Sequence, residues 1–347
     1  MSWYIKKPKN SWWTKEVADY TKNGQFDLSF GWLYKPKFSS PHINTDEAGN
    51  RITLNNPRDP QGTNWIYMFG GSALFGYDSS DEQTIPSLLS SALNTTGYPS
   101  YINNFGQFGF TSNMDVTYLQ RILKNNVIPT TVIFYNGCND VFVDSIYEKP
   151  QLSLNDAVFN NALQTYMRQE PIGPVNRSIV SMGSMKSVLS YMSTYIKIIS
   201  YPIKAIRTYI LHETDTTVTN QKHSYSEKDI NDFSYRIANE YIHNATTIKA
   251  LATQYGFSYL IFWQPLIFSK TLTKEEIGTL YENHDIIQTI YERAITLIKN
   301  ANIAHFYDLS GIFADYSNQS LFTSSCHISS QGNEIVAKYI KNILLTE

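Results

Sequence analysis

From Asn64 onward, apolar residues fall into two alternating periods. Trp65–Phe69 and Thr131–Tyr135 are short runs of β-branched and aromatic residues and predict buried strands, with Tyr101–Asn103 a weaker strand between them. Ile85, Leu88, Leu89, Ala92 and Leu93 recur at helical spacing, as do Met114, Tyr118, Leu119, Ile122 and Leu123, the second stripe with Thr111 or Ser112 as its N-cap. A long helix is predicted over about 227–254, with Ile230, Phe233, Ile237 and Tyr241 on one face. A strand at Phe257–Trp263, a helix across Lys274–Lys299 and a strand at Ala304–Tyr307 follow. The last helix carries Ile335, Val336, Tyr339, Ile340, Ile343 and Leu344. Strand–helix alternation of this kind predicts an α/β domain with a parallel sheet and helices on both faces.

Two stretches break the rhythm. Residues 1–63 read as an N-terminal extension, with Pro, Asn and Asp punctuation and with Trp3, Trp12, Trp13 and Trp32 to pin it to the main domain. The main domain then runs from 64 to 347 and carries an insertion at about 141–225. Within it, Met182–Ile210 is amphipathic and basic, with Pro202 expected to kink or end a helix. A helical lid over the domain is the expected role, and a membrane-surface helix is the alternative.

Composition narrows the partners. A formal net charge of −2 over 347 residues gives no basic footprint for nucleic acid. No run of about 20 apolar residues occurs, so no membrane span is expected. The first residues lack the apolar core of a secretory leader, and a cytoplasmic location is the expectation unless an anchoring segment has been removed. Two cysteines, Cys138 and Cys326, are too few for a disulfide scaffold or a four-cysteine zinc site.

Four segments carry candidate chemistry. Phe69-Gly70-Gly71-Ser72 ends the first strand and delivers a hydroxyl to the sheet edge. Alone, it fits a turn or a phosphate-binding loop equally well, but no Lys-Ser/Thr follows as a Walker loop requires, and Leu74 stands where a nucleophile elbow needs glycine. Asn104-Phe105-Gly106 follows the second strand, where a glycine N–H can face a substrate unobstructed. Gly137-Cys138-Asn139-Asp140 follows the third, where the Asn139 amide can donate to an oxyanion; turn chemistry or a helix cap is the plainer reading for Asn139 and Asp140. Cys326-His327 precedes the last helix and offers a general base.

In this order, the four segments resemble the SGNH (GDSL-like) hydrolase superfamily, in a variant with Gly-Gly-Ser in the first block. The likeness runs from about Asn64 to the C-terminus, the insertion excepted. It implies a flavodoxin-like three-layer α/β/α sandwich with the site at the C-terminal ends of the strands. It implies Ser72 as nucleophile, His327 as base, and the Ser72 N–H, the Gly106 N–H and the Asn139 side chain as an oxyanion hole. The implied activity is that of a serine esterase removing O-acyl groups, O-acetyl groups of a carbohydrate above all, through an acyl-enzyme on Ser72, with no metal or organic cofactor. The implied partner is a small-molecule or glycan ester. The alternatives are a carbohydrate O-acetyltransferase and a degenerate hydrolase-like protein that binds glycan without turnover.

One position departs from the pattern. Ser324 stands three residues before His327, where the family carries the Asp that orients the imidazole. Three expectations follow: a Ser–His dyad with Ser324 as the orienting group, an acid relocated to Asp308 or Asp315, or a site that only binds. Both cysteines flank proposed site residues, so convergence of those residues would bring the two sulfurs near each other; two separate reduced thiols are expected, with a disulfide as the alternative.

Overall fold

In a computed structural model of the protein, the described residues are 12, 13, 16, 25–27, 29–125, 127–146, 225–280 and 284–347. Most of the expected insertion, including Met182–Ile210, lies outside them, as does Trp3. Described residues before 147 and after 225 belong to one compact unit.

A short antiparallel hairpin, β1 (Gln25–Asp27) and β2 (Gly31–Leu33), precedes the main sheet. That sheet comprises β3 (Asn64–Gly70), β4 (Ser100–Asn104), β5 (Thr131–Asn136), β6 (Ser258–Trp263) and β7 (Phe306–Asp308), in the spatial order β4-β3-β5-β6-β7. Every neighbouring pair is parallel. Numbered within the sheet the order is 2-1-3-4-5, the flavodoxin-like winding, whose direction reverses between β3 and β5. Helices among the described residues from Ser72 onward are α1 (Ser72–Phe75), α2 (Ile85–Thr95), α3 (Ser112–Asn125), α4 (Cys138–Ile146), α5 (Glu227–Tyr255), α6 (Lys274–Ile277), α7 (His284–Asn300) and α8 (Ser330–Leu344).

The strands read as unbroken apolar runs because both faces are covered. Side chains alternate across the sheet. Ile66, Met68, Ile133, Tyr135, Leu260 and Phe262 pack with Leu89 and Leu93 of α2 and with Val336 and Ile340 of α8. The opposite face is aromatic: Phe69 meets Phe105, Phe134 and Tyr118 of α3, and Trp263 meets Tyr241 of α5 and Tyr291 of α7.

Three elements differ from the sequence expectation. The helix expected across Lys274–Lys299 is divided into α6 and α7. Thr273 caps α6 in a capping box with Glu276, and the turn ends at Gly278. The strand expected at Ala304–Tyr307 begins later, at Phe306, because His305 has φ +55°, outside the extended region. At the start of the expected insertion, residues up to Ile146 continue α4.

Described parts of the N-terminal segment pack on this unit. Trp13, Tyr34 and Ile43 form a buried cluster with Phe75 and Tyr77, and the Tyr34 ring stacks on Phe75 at 3.9 Å. Each large side chain buried in this way contributes about 1.5–3 kcal/mol. No helix of the described residues is long and apolar enough to cross a membrane.

Candidate active site

The site assembles at the C-terminal ends of β3 and β5, where the winding reverses. Ser72 follows β3 and opens α1, and it is half-buried. Its Oγ lies 2.7 Å from Nε2 of His327, which arrives from the loop before α8. The two are 255 residues apart in the chain. The imidazole is buried at 4 % exposure, and its other nitrogen, Nδ1, lies 2.7 Å from Ser324 Oγ. With Nε2 accepting the Ser72 hydroxyl proton, the hydrogen resides on Nδ1 and Ser324 Oγ accepts it. Ser324 Oγ also accepts the His327 backbone N–H at 3.3 Å, fixing ring and backbone together.

No described carboxylate bonds to His327. Asp308, one candidate for a relocated acid, is committed elsewhere: it accepts from Lys299 Nζ at 2.9 Å and from the Ser310 N–H at 2.8 Å. The relocated-acid expectation therefore gives way to Ser324, which occupies the orienting position itself.

Asn139 sits beside Ser72, near the start of α4. A Cβ on Gly71 would come within 2.3 Å of Asn139 Nδ2, so only glycine allows this approach. One Nδ2 hydrogen goes to the Phe110 carbonyl at 2.7 Å, leaving the second to point elsewhere. The turn into α4 runs through Gly137, whose φ of +118° and contact with the Trp263 ring exclude a side chain. Asp140 ties this turn to the one before α3. Its Oδ1 accepts from the Ser112 N–H at 3.0 Å and the Ser112 hydroxyl at 2.5 Å, and its Oδ2 accepts from the Gly137 N–H at 3.1 Å. Burial pushes the Asp140 carboxyl upward against these bonds. From the first turn of α4 it thus serves the turn and helix start, as expected of it.

Gly106 lies against the Phe75 backbone, but its N–H donates to Asn104 Oδ1 at 2.9 Å. In this conformation it is not available to a substrate oxygen, a difference from the sequence expectation. The cause is local: an Asn two residues upstream closes an Asx turn on it.

Cys138 and Cys326 are both buried free thiols, and they are neighbours rather than separate. Contact with Cys138, and then His327, holds the Cys326 thiol well below its usual range, while burial pushes Cys138 up. Cys326 Sγ lies 3.9 Å from both imidazole nitrogens.

Several contributors carry no sequence signal. Tyr77 stacks on the His327 ring with centroids 3.8 Å apart and planes 15° apart. Arg51 is wholly buried. Its Nη1 donates to the Phe75 and Gly76 carbonyls at 3.2 and 3.0 Å, its Nη2 to Ser79 O at 2.7 Å, and its Nε to Asp81 at 2.8 Å. Glu276, 0 % exposed, accepts the Leu321 and Phe322 N–H groups at 2.9 and 3.0 Å and so anchors the loop that carries Ser324 and His327. Among the described residues, no group of three or more His, Cys, Asp or Glu side chains is placed to hold a metal ion.

No protein-family model matches the chain, and no curated protein does. Solved structures similar to it include a member of the lipolytic protein G-D-S-L family from Veillonella parvula, at 11 % identity and TM-score 0.39, covering 81 % of this chain and 96 % of that one. A carbohydrate acetylesterase family member from Sinorhizobium meliloti matches at 11 % identity and TM-score 0.37, covering 81 % and 97 %. The lipase/acylhydrolase from Enterococcus faecalis matches at 13 % identity and TM-score 0.40, covering 81 % and 95 %. Likeness at this level carries no conclusion about activity.

Proposed function

We propose that the protein is a serine esterase of the SGNH (GDSL-like) type, acting on O-acyl groups, with O-acetyl groups of a carbohydrate as the first substrates to test. The observation that carries this reading is the 2.7 Å contact between Ser72 Oγ and His327 Nε2. It lies within the reach a general base needs. Its position at the winding reversal of a parallel sheet, where open α/β sheets bind ligands, supports it. The choice of a carbohydrate acetyl ester rests on the family resemblance of the four sequence blocks.

Ser72 Oγ attacks the ester carbonyl carbon as its proton passes to His327 Nε2, and the carbonyl electron pair moves onto oxygen. The Ser72 N–H and the free Nδ2 hydrogen of Asn139 are the donors for that oxyanion, while the Gly106 N–H joins them only if it leaves Asn104. Collapse expels the alkoxide, which takes the proton from His327. Water then attacks the acyl-enzyme, giving its proton to His327, and the second collapse returns that proton to Ser72 Oγ and releases the acid. A sugar hydroxyl in place of that water would make the same chemistry an acyl transfer.

The test is hydrolysis of p-nitrophenyl acetate by wild type and Ser72→Ala, with fluorophosphonate labelling of Ser72. Ser72-dependent turnover and labelling support the esterase. Rates equal to the blank, with no label on Ser72, leave a protein that binds without turnover. Acetyl release from an acetylated glycan, with and without added acceptor sugar, separates hydrolysis from transfer.

A further inference from the structure

A Ser–His pair without a carboxylate must stabilise its imidazolium by other means. Proton transfer from Ser72 puts a full positive charge on His327, a ring only 4 % exposed. The groups that meet this ring are Ser72 on Nε2, Ser324 on Nδ1, Cys326 at 3.9 Å from both nitrogens, and Tyr77 on its face. Ser324 offers a neutral oxygen, and Cys326 offers a polarisable sulfur at the longer distance of 3.9 Å, a contributor beside the ring face rather than a replacement for it. Tyr77 offers the negative face of an aromatic ring, nearly parallel to the imidazole at 3.8 Å. A cation over such a face is attracted by the ring quadrupole, most strongly where water is excluded.

Tyr77 is held for this contact from two sides. Trp13 packs against it at 5.0 Å, and the rings cross at 57°. Arg51 fixes the turn that bears it by bonding the carbonyls of Phe75, Gly76 and Ser79. Both braces come from the N-terminal segment, so that segment reaches the base through one residue.

We propose that Tyr77, braced by Trp13 and Arg51, is a positioning residue that stabilises the imidazolium of His327 through its ring face, supplying part of the charge stabilisation that a carboxylate would otherwise give. This rests on the esterase reading. Tyr77 acts through the base, and its effect falls on the chemical step rather than on substrate binding.

The test uses the full chain with three replacements at position 77, read as kcat and KM on p-nitrophenyl acetate and as the rate of fluorophosphonate labelling of Ser72. Tyr77→Phe keeps the ring face and is expected to restore most of what Tyr77→Leu loses. Tyr77→Leu keeps the site apolar but removes the face, and kcat should fall about 3- to 30-fold with KM little changed. Tyr77→pentafluorophenylalanine keeps the shape and inverts the quadrupole. It should slow both kcat and labelling at least as much as Leu, and it serves if the Leu variant does not fold. Equal kcat in the Phe and pentafluorophenylalanine variants would overturn the inference while leaving the esterase intact. Absence of labelling in wild type would remove the esterase reading and this inference with it.

Discussion

Ser324 Oγ lies 2.7 Å from His327 Nδ1, on the same loop and three residues upstream. A neutral hydroxyl thus occupies the position from which a carboxylate would orient the imidazole. It can fix the tautomer and the ring plane, but it supplies no charge to the imidazolium. Orientation and charge stabilisation are therefore separable here, with part of the second assigned to Tyr77.

Ser324→Ala removes the oxygen acceptor 2.7 Å from Nδ1 and leaves only the more distant Cys326 sulfur among the described side chains. A hydrogen bond to a group that becomes charged is worth about 1.5–3 kcal/mol, so kcat on p-nitrophenyl acetate should fall roughly 10- to 100-fold. Ser324→Asp restores a carboxylate and should raise kcat above wild type. An alanine variant with wild-type kcat would show that Ser324 does not hold the base.

Asn139 tests the oxyanion assignment. Asn139→Asp keeps the shape and removes both N–H donors, so kcat should drop about 10²- to 10³-fold, the usual cost of one oxyanion donor. KM should change little, because the donor matters most when charge develops on the substrate oxygen. Fluorophosphonate labelling of Ser72 should slow in parallel. A loss confined to KM would place Asn139 in substrate binding instead.

Gly71 separates close approach from general mobility. An alanine Cβ there would lie 2.3 Å from Asn139 Nδ2, so the amide must move. Gly71→Ala should lower kcat at least as far as Asn139→Asp does. Gly311 is the control, since a Cβ there meets nothing within 4 Å. Gly311→Ala should match wild type, and equal losses in both variants would point to an unrelated cause.

The sheet was legible because its strands are buried on both faces and so appear as apolar runs, Trp65–Phe69 and Thr131–Tyr135 among them. The last helix was legible because Val336 and Ile340 keep a helical stripe against the sheet. The site was legible at strand ends, for Ser72 after β3 and Asn139 after β5, and just before the last helix, for His327. What the sequence hid depends on contacts distant in the chain or on one local angle. Tyr77 meets His327 on a turn whose carbonyls Arg51 bonds from a distant part of the chain, and no periodicity records that. The division between α6 and α7 falls after Ile277, at Gly278, inside a pattern that reads in sequence as one continuous helix. The Gly106 N–H pointed toward a substrate in the sequence reading, yet Asn104 takes it through a turn that only coordinates reveal.

Glu276 carries a prediction about stability rather than chemistry. Its two oxygens accept from four donors: Lys270 Nζ at 2.7 Å, the Thr273 N–H at 2.9 Å, and the Leu321 and Phe322 N–H groups at 2.9 and 3.0 Å. Both side chains of the Lys270–Glu276 pair are fully buried. Burial alone would raise the Glu276 carboxyl, but Lys270 and the backbone donors outweigh it and hold the group below its ordinary value. A carboxyl lowered in the folded state stabilises that state fully above its unfolded value, about 4.3, and the stabilisation is lost as pH falls through the folded value. Glu276→Gln leaves the Lys270 ammonium without its carboxylate, which should cost roughly 3–5 kcal/mol at neutral pH. Urea unfolding of both proteins from pH 7 down to pH 3 reads the difference. The gap should be constant above about pH 4.5 and narrow below it, as wild type itself loses the charge. A small gap at pH 7, or one that widens in acid, would mean that the loop bearing Ser324 and His327 is held by its backbone and packing rather than by this carboxylate.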